Sequence, residues 1–216
     1  MRTAETLKND VEQELRWEPS VRAEKIGVSV NNGVVELDGH VGSLYEKWAA
    51  ECAALRVVNV TSVASEIVVD LPFDNSRTDE DIANAASNHL TWSFVVPNTV
   101  KVKVTEGQVT LLGTTEWQYQ REEAERIVRS LRGVKAVVDN IELRPTSTAS
   151  GVKIKIEDAL KRDAQIEAKN ITVETTGNVV TLRGRVHSWR ERTDAEHAAF
   201  AAPGVAFVSN QITISS

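Results

Sequence analysis

The strongest constraint on this chain is an internal repeat. Residues 26–39 (IGVSVNNGVVELDG), 100–113 (VKVKVTEGQVTLLG) and 171–184 (ITVETTGNVVTLRG) follow one pattern, each closing on a glycine. Twenty residues beyond Gly39, Gly113 and Gly184 stand Asn59, Gly133 and Gly204, and no gap is needed to align them. A period kept three times means one small unit built three times over.

Within each unit, apolar residues alternate with polar ones: Ile26, Val28, Val30; Val100, Val102, Val104; Ile171, Val173, Thr175. That is the period of a strand with one buried face. A turn follows at Gly33, Gly107 and Asn178, then a second short strand over 34–37, 109–112 and 179–182, which makes a hairpin. Asn178 and Asn59 replace glycine where a left-handed backbone is expected, and asparagine is the side chain that tolerates that conformation best. Behind the register glycine, Ser43 with Glu46 and Ser188 with Glu191 match the capping-box pattern, and Thr115 with Gln118 reads as a shifted version. The helix begun there runs through alanine-rich turns and stops at Asn59, Gly133 or Gly204. A third strand follows over 60–69, 134–143 and 205–214.

Ahead of each hairpin, Val11 and Leu15, then Ile82, Ala86 and Leu90, then Ile156 and Leu160 recur at helical spacing. The expected fold is α+β: three tandem small domains, each helix-strand-strand-helix-strand, with helices packed on one face of a three-stranded mixed sheet. Domain boundaries are expected at 1–72, 77–145 and 150–216, joined by short polar linkers over 72–76 and 145–151. Linkers of that length permit either a compact trefoil or an open string.

Laid out this way, the chain resembles the BON-domain family over nearly its whole length. The family pattern is a turn glycine, a Val-x-Leu-x-Gly strand, an Arg or Lys followed by alanines, and a Gly-Val step into the last strand. Gly33, Val35, Leu37, Gly39, Lys47 and Ala50 match it in the first copy. Gly107, Val109, Leu111, Gly113, Arg121, Ala124, Gly133 and Val134 match it in the second, and Val180, Leu182, Gly184, Arg192, Ala195, Gly204 and Val205 in the third. The resemblance implies a bacterial protein, often periplasmic or envelope-attached, connected with osmotic stress, membrane integrity and phospholipid surfaces. One cytoplasmic relative joins the domain to a LysM module and binds potassium; no LysM segment is visible here.

Most matching positions are turns and core, and other chemistry is thinly represented. A net charge of -6 and a pI near 5.4 argue against nucleic acid as a partner. The glycines never form a phosphate-binding loop. His40, His89, His187 and His197 are scattered, and no carboxylate pair stands out by spacing or surroundings. Neither catalytic residues, nor a metal site, nor a cofactor is expected, and the chain reads as a non-enzyme. Cys52, among alanines, reads as a small apolar residue on a buried helix face. The opening stretch, residues 1–20, carries charges throughout and has no apolar run of the length of a signal peptide or a membrane span. The expectation is therefore a cytoplasmic protein if the start is native, and a periplasmic one if an export signal has been removed.

Tryptophans and arginines carry the remaining signal. Trp17 and Trp92 stand two residues after Leu15 and Leu90, where they are expected to close the cores of the first two domains; the third has Arg162 there. Trp48, Trp117 and Trp189 lie near the start of the second helix at differing registers, which argues against one common core position and leaves room for some of them to be exposed or between copies. Lys plus Arg against Asp plus Glu runs 7 to 12 over residues 1–72, 9 to 11 over 73–147, and 9 to 8 over 148–216. The third domain alone is slightly basic, and Arg183, Arg185, Trp189, Arg190 and Arg192 form its candidate contact with an anionic surface. The competing reading is a solvated helix start whose arginines pair with Glu191 and Glu196. The expected function is a binding or scaffold protein of the stress-response or envelope-maintenance type, with an anionic membrane surface or other proteins as partners. A chaperone-like interaction module and a cytoplasmic ion or small-ligand sensor are the alternatives.

Overall fold

A computed structural model describes residues 3–72, 77–144, 151–163 and 168–214. Its elements repeat three times: α1 (Ala4–Trp17), β1 (Ile26–Asn31), β2 (Val34–Val41), α2 (Leu44–Arg56) and β3 (Ser62–Val69); α3 (Asp79–Trp92), β4 (Lys101–Thr105), β5 (Gln108–Thr115), α4 (Gln118–Arg129) and β6 (Ala136–Leu143); α5 (Val152–Arg162), β7 (Ile171–Thr176), β8 (Val179–Val186), α6 (Trp189–Phe200) and β9 (Phe207–Ile214). Each domain has a three-stranded sheet whose middle strand pairs antiparallel with its hairpin partner and parallel with the last strand. Most of residues 72–76 and 145–151 lies outside the described residues.

The middle strands are longer than the alternation alone predicts, because they continue through the register glycines. Gly39, Gly113 and Gly184 have φ of 128°, 123° and 147°. A Cβ at these positions would meet the carbonyl oxygens of Lys25, Thr99 and Asn170 at 2.1, 2.2 and 1.9 Å. The glycines therefore allow the incoming chain to cross directly over the strand.

At the turns, Asn32 and Gly33 both take positive φ, as do Glu106 and Gly107. In the third hairpin the left-handed residue is Gly177, and Asn178 is not among the positive-φ residues, contrary to expectation. With glycine first, the turn needs positive φ only at its first central position, which frees Asn178. Asn59 does take the left-handed conformation, φ 73°, as Gly133 and Gly204 do at 91° and 89°.

Ser43 and Ser188 cap α2 and α6 by accepting from the N–H of Glu46 and Glu191 at 3.1 and 3.2 Å. In the second domain the start lies at Trp117, in register with the serines, and not at Thr115. The Gln120 side chain accepts from the N–H groups of Glu116 and Trp117. Thr115 is the last residue of β5, buried where the other domains have Val41 and Val186.

Each core combines one stripe of the first helix (Leu7, Val11, Leu15; Ile82, Ala86, Leu90; Val152, Ile156, Leu160) with small residues of the second, alanines in α2 and α6 and Ala124 with Val128 in α4, and the inward residues of the sheet. Trp17 and Trp92 do not close these cores: they are 80% and 75% exposed. Two residues turn a helix by roughly 200°, so a residue two places after a buried leucine faces away from the core. Cys52 is half-buried, and burial pushes its thiol up from the ordinary range.

The second helices bring the domains together as a compact trefoil. Leu44 at the start of α2 packs on the core of the second domain, and the Arg129 guanidinium at the end of α4 lies 5.1 Å from the centre of the Trp48 ring. His197 near the end of α6 faces Glu122 near the start of α4, and α2 packs against α6. Each domain thus meets both of the others.

Candidate functional site

The five residues proposed from sequence for an anionic surface do not form one patch. Along β8, Leu182 and Val186 point into the core, so Arg183 and Arg185 project from the opposite, open face of the sheet. Arg183 reaches Glu174 at 3.2 Å and the Gln211 side chain at 3.0 Å; Arg185 is exposed. Trp189, Arg190 and Arg192 lie on α6, which covers the other face.

Arg192 is half-buried. It donates to the carbonyl oxygens of Ile212 and Asn210 at 3.2 and 3.0 Å, and its guanidinium lies 4.6 Å from the centre of the Trp189 ring. Trp189 is also half-buried, with its Nε1 out of contact with solvent. These two residues are structural. The pairing expected of the arginines differs as well: Arg190 faces Asp194 at 3.7 Å. Glu191 instead accepts from the His187 N–H, and Glu196 from the Asn210 amide.

The cation in register with Arg192 has a matching task in each domain. Lys47 donates to the Ile67 carbonyl at 2.9 Å, and Arg121 pairs with Asp139. The family's Arg-or-Lys position therefore fastens the second helix to the third strand. A carboxylate or amide one place earlier collects backbone donors at the helix start: Glu46, Gln120 and Glu191 accept from the N–H groups of Gly42, Glu116 and His187. Glu46 goes further, accepting from Arg22 N, Nε and Nη2 at 3.0, 3.1 and 3.0 Å while only 5% exposed. Burial opposes its charged form, but the bonds from the Arg22 side chain and from the Gly42 and Arg22 N–H groups outweigh burial, and the carboxyl is held below its ordinary value.

Sequence reasoning missed the exposed aromatic residues. Beside Trp17 and Trp92, Phe94 is fully exposed just past the end of α3. The available signal was the two-residue step from Leu15 and Leu90, which alone places a side chain off the core stripe. Among the described residues, no group of three or more His, Cys, Asp or Glu could hold a metal, and no helix is long and apolar enough to cross a membrane.

Osmotically-inducible protein Y of Escherichia coli (strain K12) is 34% identical over 125 residues, covering 52% of this chain and 60% of that protein. An uncharacterized protein in the gshII 5' region of Anaplasma centrale is 31% identical over 101 residues, covering 44% of this chain and 67% of that protein. The chain thus spans three-fifths to two-thirds of the length of these relatives. A solved structure of CdsD, a structural protein of the type III secretion system of Chlamydia trachomatis, matches with 15% identity over 96% of this chain and 91% of that one, at a TM-score of 0.27. At that TM-score the likeness carries no argument. The BON-domain pattern matches residues 3–70, 78–145 and 149–216, each over one of the three helix-strand-strand-helix-strand units, and the chain belongs to the BON-domain family.

Proposed function

We propose that this chain is a non-enzymatic scaffold of the stress-response or envelope-maintenance type that docks on anionic phospholipid surfaces. One observation carries the reading: Trp17 and Trp92, at equivalent helix ends, are held in solvent together with Phe94. Large aromatic side chains held in solvent at helix ends suit an interface with an apolar side and a wet one. Family membership and the likeness to an osmotically inducible protein support the stress-related part. Arg183 and Arg185, exposed on the open sheet face of the slightly basic third domain, supply attraction of at most about 1 kcal/mol each near a charged membrane, and Arg190, on the other face, is paired with Asp194. Arg192 and Trp189 take no part, being occupied within the domain.

Flotation with phosphatidylglycerol-containing vesicles tests this. The wild-type protein is expected to co-migrate at low salt, and less so at high salt or with phosphatidylcholine alone. Trp17→Ser with Trp92→Ser, and separately Arg185→Glu, should each reduce the bound fraction. Absence of co-migration at low salt removes the lipid reading.

A second reading, capture of extended segments of other proteins, is favoured by the sheet order, which leaves β1, β3 and their counterparts as edge strands. Suppression of the aggregation of a denatured client, without vesicles, would support it instead.

A further inference from the structure

We propose that the cavity between the second and third domains binds a small quaternary ammonium ion. The cavity, about 210 Å³, lies where the start of α4 meets the end of α6. Trp117 and Tyr119 line it with rings 6.4 Å apart and 29° from parallel, and Phe200 adds a third aromatic wall. Its volume is below the several hundred Å³ of a drug-sized site and suits a trimethylammonium group with a short tail.

The polar groups lining the cavity favour positive charge. Glu122 contributes a carboxylate whose Oε1 accepts from Gln118 Nε2 at 3.0 Å. Because a carboxylate can only accept, that bond fixes which way the Gln118 amide points. Its Oε1 is left buried without a partner. His197 Nε2 stands 3.6 Å from Glu122 Oε1, beyond hydrogen-bond distance, and forms an ion pair with it only when protonated. Aromatic rings and a carboxylate that line one cavity both attract a cation. The walls are more apolar than polar, with Trp117, Tyr119 and Phe200 among them, which suits a methylated ammonium better than a bare metal ion.

The internal repeat supplies a comparison. Trp48 stands nine residues past Gly39, and Arg129 stands 16 past Gly113; at the first interface that guanidinium lies over that ring. The same two positions at the second interface are Glu122 and Phe200. Where the first interface fills the space with its own cation on an aromatic ring, the second offers aromatic rings and a carboxylate with no guanidinium between them.

Choline, titrated into the full chain by calorimetry, tests this against its neutral isostere 3,3-dimethylbutan-1-ol. Choline should bind saturably, and the alcohol at least about tenfold more weakly, as expected when charge on an aromatic face carries recognition. Glu122→Gln and Tyr119→Ala should each weaken choline by about tenfold while the circular dichroism spectrum is unchanged; Tyr119 is largely exposed, so its truncation spares the core. No saturable binding to the folded wild type, equal binding of the alcohol, or full affinity in both folded variants would overturn the proposal.

Discussion

Arg192 and Asn210 hold each other across the third domain: Arg192 Nη2 donates to the Asn210 carbonyl oxygen at 3.0 Å, and the Asn210 amide returns a bond to the Arg192 carbonyl at 3.2 Å. Asn210 Oδ1 also accepts from the Ile212 N–H, as Asp139 Oδ1 does from that of Ile141. β9 is an edge strand, and this link ties it to α6 where strand pairing secures only one side.

Removing that link should therefore destabilise the third domain. Arg192→Met keeps the aliphatic stem and is expected to cost about 1–2 kcal/mol, the range for hydrogen bonds made by a charged group. Arg190→Ala, on an exposed side chain, should stay within about 0.5 kcal/mol. Amide hydrogen exchange in β9 reads both, and equal protection in the two variants would show that Arg192 is an ordinary surface cation.

Acid should act on the first domain through Glu46. Its folded pKa lies below the ordinary 4.5, so the charged form stabilises the fold above pH 4.5, and that contribution is lost as pH falls through the lowered value. Glu46→Gln should lose about 2 kcal/mol at neutral pH, because the Arg22 and Gly42 donors meet a weaker acceptor. The gap between wild type and variant should then close on acidification, as followed by exchange in β2 and β3. A gap constant down to pH 2 would show that the carboxylate charge contributes nothing.

Fold and site were legible to different degrees, for reasons visible at particular residues. Gly39, Gly113 and Gly184 show in sequence because no other side chain fits under the crossing backbone, and Val28, Val35 and Leu37 because a sheet face has a period of two. Trp17 was misread because size suggested burial while its angular position on the helix decided otherwise. Thr115 was misread because it resembles a cap better than Trp117 does, although Trp117 holds the position. Among the candidate site residues, Arg183 and Arg192 look alike as letters. Only the sheet pleat and the reach to Asn210 separate a solvent-facing arginine from a half-buried fastening. The packing of domain on domain was not readable, since it rests on Leu44, Trp48 and Arg129, which share no pattern across the three copies.

Backbone geometry predicts a contrast at the left-handed positions. Asn59→Gly should be close to neutral, and Asn59→Ala should cost about 1–2 kcal/mol, the penalty of a Cβ in that conformation. Asn178→Ala should be mild, because the strained φ of that turn belongs to Gly177. Thermal melting of the three variants checks this, and an Asn178→Ala loss as large as that of Asn59→Ala would contradict the turn geometry.

The contact between the first two domains should open without unfolding either. Leu44 is only partly buried and Arg129 is stacked on Trp48 while pairing with Glu125. Truncating both to alanine removes apolar burial and one cation–π contact, together about 2 kcal/mol. Each 1.4 kcal/mol is a factor of ten, so the population with these domains apart should rise by about 30-fold. Leu44 touches the second core only from outside, and the residues that build the cores, Leu15, Leu37, Ile82 and Leu111, stay buried within their own domains and should keep their exchange protection. Small-angle scattering would show a larger radius of gyration for Leu44→Ala with Arg129→Ala, at an unchanged circular dichroism spectrum. An unchanged radius would mean that α2 against α6 suffices to hold the trefoil closed, and loss of core protection would mean that the domains cannot stand apart.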